Sequence, residues 1–127
     1  MAKILNIVES AYRGTVEEQD DTILWLSQIF KSSGADLAVL LRASAVNYAL
    51  DGQDASGLAF GAHKPANSAR IDRDVKKLIE SGVPVYLVEE DAAERGLAEQ
   101  RLIPGVKKVS RKAIPELLDQ HELVWHW

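Results

Sequence analysis

The run Val83-Pro84-Val85-Tyr86-Leu87-Val88 constrains the fold more than any other stretch of the chain. It is apolar throughout and rich in β-branched residues, the pattern of a strand covered on both faces inside a parallel sheet. It stops at three consecutive carboxylates, Glu89, Glu90 and Asp91. Asp91 with Glu94 three residues on has the form of a capping box, so a short helix is expected to start there and to end at Arg95-Gly96. In open α/β sheets, ligands sit outside the carboxyl ends of strands. The three acids therefore fall where chemistry is expected.

The rest of the chain alternates around this strand. Lys3 to Glu9 reads as a first strand, followed by the loop from Ser10 to Gly14. Thr15 with Glu18 forms a second capping-box pattern, predicting a helix to about Ser33, stopped by Gly34. Asp36 to Ala43 is the second strand. The segment from Ser44 to about Leu50 suggests a helical turn. Gly52 to Asn67, with three glycines and Pro65, reads as one long loop of the kind used as a lid, binding loop or interface. Ser68 is the expected cap of a helix carrying Ile71, Val75, Leu78 and Ile79 on one face. Arg70, Arg73, Lys76 and Lys77 with Asp72, Asp74 and Glu80 form its expected solvated face. After Gly96, a short strand spans Val106 to Val109. A helix over about Arg111 to Gln120 follows, with Pro115 near its first turn where proline costs least. A fifth strand runs from Glu122 to Trp127. This alternation predicts one domain over 1–127, a three-layer α/β/α sandwich around a five-stranded, mostly parallel sheet.

Composition narrows the function classes. The 127 residues are enough for a single buried core. A formal charge of -4 argues against a nucleic-acid partner. With no cysteine, the chain has no disulfide, no thiolate metal site and no cysteine nucleophile. No apolar run reaches the ~20 residues that span a bilayer, and the apolar start is too short for a secretory signal. A cytoplasmic protein without membrane contact is expected.

Several residues could build a site. Tyr12, Arg13, Ser44, Asn47, Glu89, Glu90 and Asp91 could line a groove at the strand ends, with Phe60 from the long loop as a lid. The loop before the first helix could also cradle an anion, though it matches neither a Walker loop nor a dinucleotide fingerprint. His63, His121 and His126 lack metal-ligand spacing, and Ser44 has no evident triad partners. No catalytic residue, metal or cofactor is expected. Leu123, Trp125 and Trp127 alternate onto one face of the last strand. Two indoles there must bury against a core or a neighbouring subunit.

The layout Val83-Pro84-Val85-x-Leu87-x-x-x-Asp91-x-x-x-Arg95-Gly96 resembles the DsrE/DsrF-like proteins, which include subunits of the Tus sulfur relay. The resemblance runs over nearly the whole chain and implies the DsrEFH-like form of the sandwich. Many members carry a persulfide on a cysteine at the end of this strand, often with a second cysteine three residues on. Counted back from Arg95-Gly96, those places hold Val88 and Asp91. The resemblance also implies a groove-lining loop near Tyr12 and assembly as trimers or hexamers, in which some subunits carry sulfur and others support the complex. A non-catalytic structural or binding subunit is therefore expected, in a homo-oligomer or with related chains. The alternative is a small-molecule or anion-binding module using the groove.

Overall fold

The computed structural model describes residues 2–12, 21–54, 57–66, 68 and 70–127. Five strands form one sheet: β1 (Lys3–Val8), β2 (Asp36–Leu41), β3 (Val85–Val88), β4 (Lys107–Val109) and β5 (Leu123–His126). Their order is β4-β3-β2-β1-β5, and each neighbouring pair is parallel. The strands are apolar on both sides because both sides are covered. In β2, Leu37, Val39 and Leu41 join one core cluster while Ala38 and Leu40 join another. In β3, Leu87 belongs to the first cluster and Val88 to the second. Each such buried leucine or valine contributes about 1.5–3 kcal/mol relative to exposure.

The helices follow from the strand order. The chain steps from β1 to β2, β3 and β4 in one direction, so right-handed crossovers place the connecting helices on one face. These are α1 (Thr22–Ser32), α2 (Ile71–Glu80) and the short α3 (Glu89–Glu94), whose Ile23, Leu24, Ile71, Val75, Leu78 and Ala92 fill the first cluster. The chain then jumps back from β4 to β5, and the same handedness puts α4 (Ile114–Asp119) on the opposite face, where Ile114 and Leu117 fill the second cluster. The three-layer α/β/α sandwich expected from the sequence is the observed fold, with a sheet that is parallel at every pairing.

Four local expectations are corrected. The helix expected from about Thr15 begins at Thr22; the Thr15–Glu18 capping box lies outside the described residues. Asp21 is the cap: its carboxylate accepts the N–H groups of Ile23 and Leu24 (2.9 and 3.1 Å). Ser68 does not cap α2, whose cap position is Arg70 with no side-chain hydrogen bond. Asp72 and Asp74 are not on a solvated face but buried. Asp74 accepts the Asp21 N–H (2.8 Å), tying α2 to α1, and Asp72 takes the Gly52 N–H and lies near Arg70 and Lys76. Finally, Asp91 does not cap α3. The helix starts directly at Glu89, so all three acids belong to its first turn, where negative charge suits the helix dipole.

Candidate functional site

The strand order locates the crevice. At the end of β3 the chain leaves to one face through α3, and at the end of the adjacent β4 it leaves to the other through a 3-10 turn over Arg111–Ala113 and then α4. Diverging connections of this kind open the gap in which α/β proteins hold ligands. In this chain the gap is filled by its own charges. The Arg111 guanidinium contacts the carboxylates of Asp91 and Glu94, the latter at 3.1 Å. The Arg111 backbone N–H donates to both Glu90 oxygens (2.8 and 3.0 Å), and the Ser110 hydroxyl donates to the same carboxylate (3.1 Å). The second Asp91 oxygen accepts the N–H of Ala43 at 2.7 Å, from a residue held at a left-handed φ of 50°.

The charges are tuned by these contacts. Burial works against ionised Asp91, but the Ala43 N–H and the Arg111 guanidinium outweigh it and hold the carboxyl below the usual aspartate range. The Arg111 N–H, first of all, lowers Glu90 in the same way. Arg111 is raised by its hydrogen bonds to Asp91 and Glu94. The pattern continues along the rim. The Arg42 guanidinium lies 3.1 Å from Glu9, a charge contact without hydrogen-bond alignment, and His126 Nε2 lies 3.0 Å from the same carboxylate. From β5 to β4 the rim thus reads His126, Glu9, Arg42, Asp91, Arg111: cationic-capable and acidic groups in alternation across the strand ends.

The residues singled out in the sequence divide among three places. Glu90 and Asp91 join Arg111, whereas Glu89 is exposed beside a small cavity of about 180 Å³ that also touches Leu87, Ala92 and Lys108. Tyr12, Asn47 and Ser44 form a second group. The Tyr12 hydroxyl donates to Gln53 (2.7 Å), Gln53 donates to the Asn47 carbonyl (2.8 Å), and the Asn47 amide donates to the Ser44 carbonyl (2.9 Å). The Tyr12 ring stands edge-on to Tyr48, with centroids 5.1 Å apart. Arg13 lies outside the described residues. Phe60 stands apart, 58% exposed on a turn closed by two hydrogen bonds to His63. Val88, which the resemblance places at the first cysteine position of the DsrE/DsrF-like proteins, is fully buried in the second core cluster.

Arg111, like its neighbour Ser110, is a member of the crevice that local sequence patterns missed. It is twenty positions beyond Asp91, and only the adjacency of β3 and β4 brings the two together. Among the described residues, no group of three or more His, Asp or Glu side chains is arranged to hold a metal. None of their helices is long and apolar enough to cross a membrane.

On the open edge of the sheet, β5 and α1 border a groove of about 490 Å³ lined by Leu26, Phe30, Val124, Trp125, His126 and Trp127. Trp125 packs on Phe30, with ring centroids 5.2 Å apart. Leu123 and Trp127, the other two residues expected at an interface, are 47% and 39% exposed.

Comparison with known proteins agrees with this fold. The model of the DsrE/DsrF-like family matches residues 3–124. No curated protein matches the chain. Among solved structures, the ychN protein from E. coli superposes with a TM-score of 0.77 at 24% identity, covering 100% of both chains. A conserved protein of unknown function from Bacteroides thetaiotaomicron superposes at 0.68 and 14% identity, covering 99% of this chain and 95% of its own. At these identities the two structures speak for the fold alone, and the family match identifies the lineage: the chain belongs to the DsrE/DsrF-like family.

Proposed function

We propose that this chain is a non-catalytic, cytoplasmic member of its family, a structural or binding subunit that does not carry sulfur. Its setting is a homo-oligomer, a trimer or hexamer, or a hetero-oligomer with cysteine-bearing relatives. The observation that carries this reading is the self-filled crevice between β3 and β4. Arg111, Glu90 and Asp91 satisfy one another where a ligand or a reacting thiol would sit. A persulfide needs a thiol, the chain has none, and the matched strand end presents Val88 to the core rather than to solvent. The exposed apolar surface along β5 supports the subunit role, because aromatic residues are enriched in the cores of subunit interfaces.

The test is to offer a labelled persulfide donor to the wild-type chain and to a Val88→Cys variant. The expected result is no stable label on the wild type beyond that of a denatured control, and no label that native Val88→Cys can pass to a second thiol. A Val88→Cys chain that accepts sulfur and hands it on would contradict the proposal, since it would show the place still open for transfer.

A further inference from the structure

Two apolar features of the described surface are left uncovered by the chain's own fold, and they lie on different elements. One is the α1–β5 groove, floored by Leu26, Phe30 and Trp125 and walled by Trp127. Beside it, Trp25 and Ile29, one helical turn apart, expose a further apolar stripe of α1. The other is the turn at Phe60. Phe60 and His63 exchange two backbone hydrogen bonds (2.8 and 3.0 Å), and Gly61 supplies the positive φ the turn needs. The turn therefore holds Phe60 outward, with Leu58 also exposed beside it. Phe60 lines no part of its own chain's groove.

We propose that Phe60 and Leu58 of one copy seat in the α1–β5 groove of the next, joining copies head to tail. This rests on the oligomeric reading above and adds which surface meets which. Three observations favour a second copy as the occupant. A protruding aromatic and an aromatic-walled groove of sufficient volume occur on the same chain. Charges of opposite sign flank the two: exposed Lys64 follows the turn, and exposed Glu122 precedes β5. The two sheet edges also differ: β4 presents exposed Lys107 and Lys108, a common guard against edge pairing, whereas β5 presents Leu123 and Val124. A knob and a groove on separate surfaces make a heterologous contact, and repetition of such a contact closes into a ring when the rotation allows.

The absence of native cysteine makes the test direct. Phe60→Cys and Trp127→Cys chains are co-expressed and mildly oxidised. The expected product is a covalent dimer containing one chain of each kind, with each variant alone remaining uncrosslinked. Separately, Phe60→Asp and Trp127→Asp should each weaken assembly on the order of 100-fold, as loss of a central aromatic anchor does. Their mixture should regain a one-to-one dimer, because one intact knob and one intact groove remain. Efficient crosslinking of Trp127→Cys with itself would overturn the proposal in favour of a two-fold contact through β5. An assembled wild type with no mixed crosslink would overturn it while leaving the oligomer standing. A monomeric wild type would overturn both.

Discussion

Between β3 and β4, Arg111 meets Glu90, Asp91 and Glu94 from its own chain; along β5, Leu123, Val124 and Trp127 stand in water. Both regions lie at places where α/β proteins make contacts. The first is polar and satisfied within the chain, so nothing further is needed to complete it. The second is apolar and stays exposed in the single chain. Charges at the crevice define a closed site, while the apolar edge defines an open one. Under the proposed function, the partner-seeking role falls to the sheet edge rather than to the strand ends.

The comparison is broken most forcefully on the open side, through the anchor of its helix. Asp21 is fully buried, caps α1 through two N–H groups and accepts the Tyr48 hydroxyl at 2.7 Å. Asp21→Ala loses the cap and leaves the Tyr48 hydroxyl without this acceptor, an expected loss of about 3 kcal/mol in urea unfolding. The closed side should yield less. Asp91→Asn removes the charge facing Arg111, a partly exposed contact, for about 1 kcal/mol. Its sharper signature is in acid. Because the folded-state pKa of Asp91 is depressed, its stabilisation is present above the unfolded value of about 4 and is lost as pH falls below it. The wild type should therefore lose stability more steeply than Asp91→Asn below about pH 4, as read by thermal melts across that range.

Smaller changes sharpen the contrast further. Val88→Cys should cost about 0.5–1 kcal/mol, and its thiol, taking a fully buried place, should resist iodoacetamide until the protein is unfolded. The pH dependence of alkylation measures this, and burial pushes the thiol pKa above the ~8.5 of free cysteine. Glu89→Gln should change stability by less than about 0.5 kcal/mol, because Glu89 is exposed. The difference between Glu89 and its two neighbours shows that three consecutive acids on α3 are not three equivalent groups.

The sequence made the sheet legible because covered parallel strands are written as continuous apolar runs, as in Leu37 to Leu41 and Val83 to Val88. It was less informative about helix starts. The capping-box pattern pointed to Thr15, whereas the cap of α1 is Asp21, which is buried with Tyr48 and Asp74, partners that the local sequence does not show. Asp72 and Asp74 looked like surface charges because helical periodicity registers type, not partners; their burial depends on Gly52 and Asp21 from elsewhere in the chain, with Lys76 one turn along α2 beside Asp72. The crevice was half visible. Glu90 and Asp91 stood out at the strand end, but Arg111 acquires its role only from the order of β3 and β4 in the sheet. The apolar character of Trp125 and Trp127 was plain, whereas their unequal exposure depends on how Phe30 packs.

Native mass spectrometry of the protein purified from its own host tests the central claim most directly, because it reports subunit number and retained small molecules together. The account predicts an oligomer whose mass is accounted for by protein chains, with no stoichiometric small molecule held in the β3–β4 crevice. A protein that stays monomeric at high micromolar concentration and carries a bound small molecule would contradict it, and would make the chain a ligand-binding module instead.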